Sequence, residues 1–318
     1  MGDHPVDLSA VQDAAARIRG RVRQTPILDP QPMRGPVLDA GRLLLKLECL
    51  QVTGSFKARG ASNKLLTLEE DARARGLVTA SGGNHGLAVA YAAASAGVPA
   101  AIFVPESTPA AKVQKLRQWG AEVTVSGQVW DEAQEAALAE QRARGLTYVH
   151  PFADPQVIAG QGTLALEILA QIPIADTLVV AIGGGGLIAG VAAAAKAIRP
   201  GIKIIGVEPT GAPTLYQSLK AGNLVTLDRI ETASGSLAPR RSMPLNLELI
   251  AAYVDRIALV TDAEMRQAAE WLWFETGVAA ELAGAAALAA LMTGRHRPDA
   301  NETVVAVICG AGTDGLAA

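Results

Sequence analysis

Four consecutive glycines, Gly183–Gly186, constrain this chain more than any other feature. Glycine loses more backbone freedom on folding than any other residue, so four in a row are costly unless something needs the space they leave. They sit inside a stretch, Leu178 to Ala195, that carries no charged residue. Such a stretch is about as long as a membrane-spanning helix must be, ~18 residues. The glycines interrupt it and much of the remainder is alanine, so a buried strand over Leu178–Ile182, a turn, and a helix over Leu187–Ile198 are predicted instead, with no membrane span. Glycines between a strand and a helix N-terminus let several backbone N–H groups converge on one anion, with the helix dipole behind them. The pattern predicts a phosphate site built on Gly183, Gly184, Gly185, Gly186 and Leu187.

The same rhythm runs through much of the chain. From Gly76 to His150, predicted strands at Leu77–Ala80, Ala100–Val104, Glu122–Val125 and Thr147–His150 alternate with helices at Leu87–Ala96, Pro109–Trp119 and Trp130–Arg144. Gly97 and Gly120 stand where helix C-caps belong. After Gly160 the alternation resumes with the glycine-turn unit and strand Lys203–Val207. It closes with strand Ile257–Val260, a helix opened by Thr261 and Glu264, helix Leu282–Met292 and strand Thr303–Ile308. Nearer the N-terminus, Ser9 and Gln12 have capping-box spacing for a helix to Ile18, and Leu43–Leu47 reads as a buried strand. This pattern specifies an α/β fold of open, twisted, mostly parallel sheets with helices on both faces. The expected division is a small α/β domain, residues 68–150, inserted into a larger one built from 1–67 and 151–318.

Composition narrows the partners. Half the residues are apolar and the net charge is −3, which excludes disorder and gives no pull toward nucleic acid. Only Cys49 and Cys309 are present, so no disulfide framework is expected and a reducing compartment fits. The first ten residues lack a secretory-signal pattern, which points to the cytoplasm.

Two further motifs carry chemistry. A lysine amine attacks a carbonyl only when unprotonated, and its ordinary pKa is ~10.4. In Gly54-Ser55-Phe56-Lys57-Ala58-Arg59-Gly60 the lysine stands beside an aromatic ring on a turn after a buried strand, where partial desolvation makes it nucleophilic. Alone, the segment also reads as a surface lysine at a helix start. Ser81-Gly82-Gly83-Asn84-His85-Gly86 follows one predicted strand and opens a helix. Its converging N–H groups suit a carboxylate and Asn84 adds a fixed donor and acceptor, although a plain capped turn has the same look. His85, beside glycines, reads as structural.

A nicotinamide enzyme is the rival. Gly184-x-Gly186-x-x-Ala189 fits the looser dinucleotide fingerprint, and Glu208 ends the next strand where a ribose contact belongs. That reading puts the fingerprint in mid-chain and leaves the first two motifs without work. Pyridoxal 5'-phosphate (PLP) uses all three: an amine for its aldehyde, a nest for a substrate carboxylate, and a cradle for its phosphate.

Together with His150-Pro151-Phe152, Val157 to Thr163 and Gly206-Val207-Glu208-Pro209, these motifs resemble the fold-type II PLP enzymes, specifically the serine/threonine dehydratase and serine racemase family. The likeness covers nearly the whole chain. It implies two open sheet domains with the cofactor between them. It also implies β-elimination of small hydroxy-amino acids, such as L-threonine or L-serine, to a 2-oxo acid and ammonia. By that resemblance Lys57 holds PLP as a Schiff base and Phe56 packs beside its ring. Asn84 bonds the phenolic oxygen, while Ser81 and the Gly83 and His85 amides hold the substrate carboxylate. Cys309 falls against the pyridine nitrogen, and Glu281 either lines the site or is simply an acid at a helix start. A cysteine cannot keep that nitrogen protonated as an aspartate does, which favours prompt loss of a β-group over long-lived carbanion chemistry.

Several positions depart from the family's pattern. Racemases carry a serine as second base where this chain has Gly82, so elimination is expected to dominate. Cation-binding members use a glutamate matched by Glu208 and an aspartate where Thr214 stands, so a tight divalent-cation site is not expected. Ser234-Gly235-Ser236-Leu237 replaces a familiar Ala-Asp-Gly near the substrate side chain, leaving serine, threonine and 3-hydroxyaspartate open; Arg240 and Arg241 could meet an acidic substrate but read more readily as a solvated pair. Serine racemase, 3-hydroxyaspartate dehydratase and, more distantly, β-replacement are the alternatives; β-replacement members carry threonine at the His85 position. The chain's end shortly after Cys309 predicts no C-terminal effector domain. The resemblance further implies a homo-oligomer, dimer or tetramer, with Trp271, Trp273 and Phe274 offering apolar surface or core.

Overall fold

The computed structural model describes residues 4–316. Its strands are β1 (Ile27–Leu28), β2 (Arg42–Lys46), β3 (Leu77–Ala80), β4 (Ala100–Val104), β5 (Glu122–Val125), β6 (Thr147–Tyr148), β7 (Thr177–Ala181), β8 (Lys203–Pro209), β9 (Arg256–Val260) and β10 (Thr303–Val307). Between them lie α1 (Leu8–Ile18), α2 (Lys57–Leu66), α3 (Glu70–Arg75), α4 (Asn84–Ala96), α5 (Ala110–Gln118), α6 (Trp130–Arg144) and α7 (Pro155–Gln171). The remainder are α8 (Gly186–Ile198), α9 (Thr214–Ala221), α10 (Pro244–Tyr253), α11 (Asp262–Thr276) and α12 (Leu282–Met292).

Two sheets result. One has six strands in the order β1-β2-β10-β7-β8-β9, the other four in the order β5-β4-β3-β6. Every ladder is parallel except that of β1 on β2. All positions of β7 and β10 are buried, as a parallel sheet covered on both faces requires. Each large aliphatic side chain enclosed there contributes roughly 1.5–3 kcal/mol. The edge strand β5 instead exposes Glu122, Thr124 and Val125.

Close helix crossings set the site. A Cβ on Gly160 of α7 would lie 2.6 Å from the Gly60 Cα of α2, and one on Gly190 of α8 would lie 2.2 Å from the Ile158 carbonyl oxygen of α7. Only residues without side chains let backbones approach so nearly. Helix α7 therefore packs between the helix that begins at Lys57 and the helix that begins at Gly186.

Two elements differ from expectation. Asp7, not Ser9, caps α1, its Oδ1 accepting from the Ala10 amide at 2.8 Å. Helix α7 was not predicted, although Asp154 caps it and Pro155 opens it, a standard start signal. The Thr261–Glu264 capping box forms as expected. Among the described residues no helix is long and apolar enough to cross a membrane.

Candidate active site

The chain leaves β2 and turns through Thr53 and Gly54, both with positive φ (66° and 85°). That conformation is uncommon for a β-branched residue and marks strain held by its surroundings. Ser55 then runs extended beside the end of β10. It bridges Gly310, the Phe56 amide donates to the Cys309 carbonyl at 3.2 Å, and the Ala311 amide to the Gly54 carbonyl at 2.8 Å. Lys57 starts α2, and its Nζ donates to the Pro151 carbonyl at 2.7 Å, 5.2 Å from the centre of the Phe56 ring. Surrounding protein lowers the amine's pKa to about 8, with Cys309 and Glu281 pulling the other way. Part of the side chain still meets solvent, so the amine is desolvated yet reachable.

Gly310 packs against a polar pair. A Cβ there would lie 2.4 Å from Glu281 Oε1 and 3.3 Å from Asn84 Nδ2. Asn84 Nδ2 donates to Glu281 Oε1 at 2.8 Å. Burial raises the Glu281 pKa to about 7, Asp314 adds to the rise, and the bonds from Asn84 and Ser236 oppose it. Burial also pushes the Cys309 thiol up, so it stays protonated and donates to the Ala283 carbonyl at 3.4 Å. The fold thus brings Phe56, Lys57, Asn84, Glu281 and Cys309 together from four separate stretches of chain.

The loop before α4 lies on the same side, since Asn84 opens that helix. Ser81 Oγ accepts from the Gly83 amide at 3.3 Å, and a Cβ on Gly83 would meet nothing within 4 Å. The His85 ring is structural: Nε2 bonds the Val149 carbonyl at 2.9 Å, and burial, then the Lys57 charge, lowers its pKa to about 3.

The tetraglycine turn joins β7 to α8. A Cβ on Gly184 would lie 2.2 Å from the Phe152 ring, and Gly185 has φ 91°. The Gly184 carbonyl accepts from Ser242 Oγ at 2.9 Å and Asn246 Nδ2 at 3.0 Å; Asn246 Nδ2 also donates to the Phe152 carbonyl at 2.9 Å. Sequence reasoning missed Ser242 and Asn246, which lie far along the chain from the loop they brace and have no local signature. The amides of Gly183 to Leu187 have no acceptor among the described residues. Asn246 Oδ1 and Ser234 Oγ are likewise buried without a partner. Ser236 backs the turn: its carbonyl oxygen would lie 2.6 Å from a Cβ on Gly183. Unpartnered amides at a helix N-terminus suit a phosphate, and a desolvated amine nearby suits an aldehyde, so these residues fit PLP.

Other expected contacts lie elsewhere. Glu208 is fully buried, and its oxygens accept from the Leu215 amide at 2.8 Å and the Tyr216 amide at 2.7 Å, holding the start of α9. Burial raises its pKa to about 8. The acid that would have met a nicotinamide ribose is thus spent on a helix terminus. Thr214 Oγ1 donates to the Pro239 carbonyl at 2.7 Å. Among the described residues no group of three or more His, Cys, Asp or Glu is placed to hold a metal ion. Arg240 donates to the Leu227 and Asp228 carbonyls, and Arg241 to the Leu224 carbonyl and Thr226 Oγ1, so both brace a loop instead of turning to a substrate. Trp271 is core; Trp273 and Phe274 are exposed.

Known proteins resemble this chain over most of its length. L-threonine ammonia-lyase of Thermotoga maritima is 39% identical over 96% of this chain and 75% of its own length. Phenylserine dehydratase of Ralstonia pickettii is 38% identical over 97% of this chain and 94% of its own. The structure of maize serine racemase superposes with a TM-score of 0.92 at 34% identity, covering 97% of this chain and 94% of that one. With residues 18–310 matching the family described as "Pyridoxal-phosphate dependent enzyme", the chain belongs to that family, in its fold-type II branch, and its cofactor is PLP.

Proposed function

We propose that this enzyme dehydrates small hydroxy-amino acids, such as L-threonine or L-serine, to a 2-oxo acid and ammonia. The observation that carries the reading is the Lys57 amine, held near pKa 8 within one frame with Asn84, Glu281 and Cys309. The dehydratase and ammonia-lyase relatives support the reaction class. Bound at Lys57, the cofactor supplies an electron sink that makes the substrate's α-proton acidic.

The chain's residues divide the remaining work. The amides of Gly183, Gly184, Gly185, Gly186 and Leu187 would hold the phosphate, Phe56 would pack beside the ring, and Asn84 would meet the phenolic oxygen. Cys309, a neutral thiol, would face the ring nitrogen and could not hold it protonated as an aspartate would. Ser81 and the Gly83 and His85 amides take the substrate carboxylate, with Glu281 lining the same space. Lys57 Nζ would accept the substrate's α-proton in its unprotonated form; a pKa of about 8 keeps a usable unprotonated fraction near neutrality. The same proton can then go to the departing hydroxyl, so that water leaves.

Position 82 argues for elimination over racemization. A Cβ there would lie 2.7 Å from the Thr108 methyl, and glycine offers no proton carrier on that side. Residues 68–150 are read as a small domain against 1–67 with 151–318, each built on one of the two sheets. A cytoplasmic location and a homo-oligomer are part of the same reading, the oligomer alone supported by Trp273 and Phe274 at 54% and 58% exposure. The test is purified holoenzyme given serine, threonine and 3-hydroxyaspartate while oxo acid and α-epimer are both measured. Oxo-acid release faster than epimer formation is expected; epimer formation as the faster process would reject the assignment.

A further inference from the structure

We propose that His150, through its Nε2–H, donates a hydrogen bond to the β-oxygen of the substrate and so holds the leaving group. The proposal rests on the dehydratase reading and adds a residue to it. Its starting point is the tautomer. His150 Nδ1 accepts from two backbone amides, Phe152 at 3.2 Å and Ala153 at 2.9 Å. A ring nitrogen that accepts twice must carry a lone pair, so the proton of the neutral imidazole resides on Nε2. The ring is kept neutral: burial, then the Lys57 charge, lowers its pKa to about 4, with Asp154 opposing. Its plane is pinned as well. Phe152 meets it edge-on at 4.7 Å and 89°, and Tyr148 at 6.4 Å.

The Nε2–H that remains has no acceptor among the described residues. The contrast with His85 is direct, since the Nε2 of that buried ring is taken by the Val149 carbonyl. The location adds the second argument. The residue after His150 supplies the carbonyl that holds Lys57 Nζ at 2.7 Å, and the Lys57 charge reaches the His150 ring. A fixed donor therefore stands beside the amine that moves the α-proton. The substrate's β-carbon is one bond from the α-carbon that Lys57 must reach, so its oxygen enters the neighbourhood that Lys57 and His150 share.

A neutral imidazole is too weak an acid to protonate the leaving group outright. It stabilises charge as the Cβ–O bond breaks and the electron pair passes to oxygen. The proton that Lys57 removed from Cα then completes the water molecule. Atoms balance: the substrate loses one hydrogen from Cα and one hydroxyl from Cβ.

The rival role for His150 is purely structural, with Nδ1 capping the turn of residues 150–153. His150→Asn separates the two, because an asparagine side-chain oxygen can accept the same amides but places no donor where Nε2–H stands. Holoenzyme of wild type and His150→Asn is assayed for oxo acid from threonine or serine and from β-chloroalanine, whose chloride leaves without a hydrogen-bond donor. Loss of one aimed donor lowers kcat by on the order of 100-fold in comparable sites. A fall of that size with the hydroxy-amino acid is expected, with less than about threefold change for β-chloroalanine and an unchanged visible spectrum of bound cofactor. Equal falls with both substrates, or no fall with either, would overturn the proposal alone. Wild-type protein silent on every hydroxy-amino acid would overturn the dehydratase reading and the proposal with it.

Discussion

Lys46 at the end of β2 and Lys57 at the start of α2 are both enclosed by protein, and both have a pKa below the ordinary lysine value. Their surroundings differ in one respect. Lys46 Nζ donates to the Thr25 carbonyl at 2.7 Å, Glu167 Oε1 at 2.5 Å and Gln171 Oε1 at 2.7 Å, so each of its three protons has an acceptor. Arg59 extends the cluster, bonding Glu48 at 2.6 and 2.8 Å and Glu167 at 2.8 Å. Two cations and two carboxylates close on themselves. Among the described residues Lys57 has one carbonyl partner and touches no carboxylate. A buried lysine with all its protons placed is a brace; one left short of partners is a nucleophile. The brace also serves the nucleophile, because Arg59 ties the first turn of α2 to α7.

The distinction can be broken by substitution. Lys57→Ala should cut oxo-acid release by on the order of 1,000-fold, the loss of both a covalent anchor and a general base, while the apoprotein's melting temperature does not fall. Turnover within tenfold of wild type would remove Lys57 from the chemistry. Lys46→Met should do the reverse. It leaves Glu167 short of a buried partner, a class of change that costs about 3–5 kcal/mol in denaturant unfolding. Turnover per folded molecule should stay within about threefold; a parallel collapse of turnover would mean that the two lysines do not divide the work.

A smaller effect sharpens the comparison through pH. In apoprotein the folded-state pKa of Lys57, about 8, lies below its value of 10.5 without the fold. Between those values the unfolded chain binds more protons, so stability rises with pH across that window. The penalty for enclosing the charged amine is complete below pH 8 and relieved by pH 10.5. Lys57→Met lacks it, so the variant's stability advantage over wild type should shrink from pH 8 to 10.5 in urea titrations. A constant advantage would show that the amine is not desolvated.

Much of this was legible in the sequence wherever the signal was local. Strands β3, β4 and β5 and helices α6 and α12 fall where hydrophobic period and glycine punctuation put them. The three glycine motifs were visible because a turn that must approach a ligand excludes side chains. What stayed hidden was long-range. Nothing near Glu48 announces Arg59 and Glu167, and nothing near Gly184 announces Ser242 or Asn246, because such bonds join residues that only the fold makes neighbours. Glu208 misled for the same reason. Its position at the end of a strand was right for a ribose, but the backbone amides it serves belong to the next helix. Helix α7 is a different case, since Asp154 and Pro155 were a readable start.

The claim on which the rest depends is that the Lys57 amine, not that of Lys46 or of any surface lysine, joins the cofactor. Borohydride reduction of holoenzyme, followed by proteolysis and mass spectrometry, reads it directly. A single phosphopyridoxyl mass on the peptide containing Lys57 is expected. The same mass on another lysine, or on none while the cofactor remains bound, would contradict it.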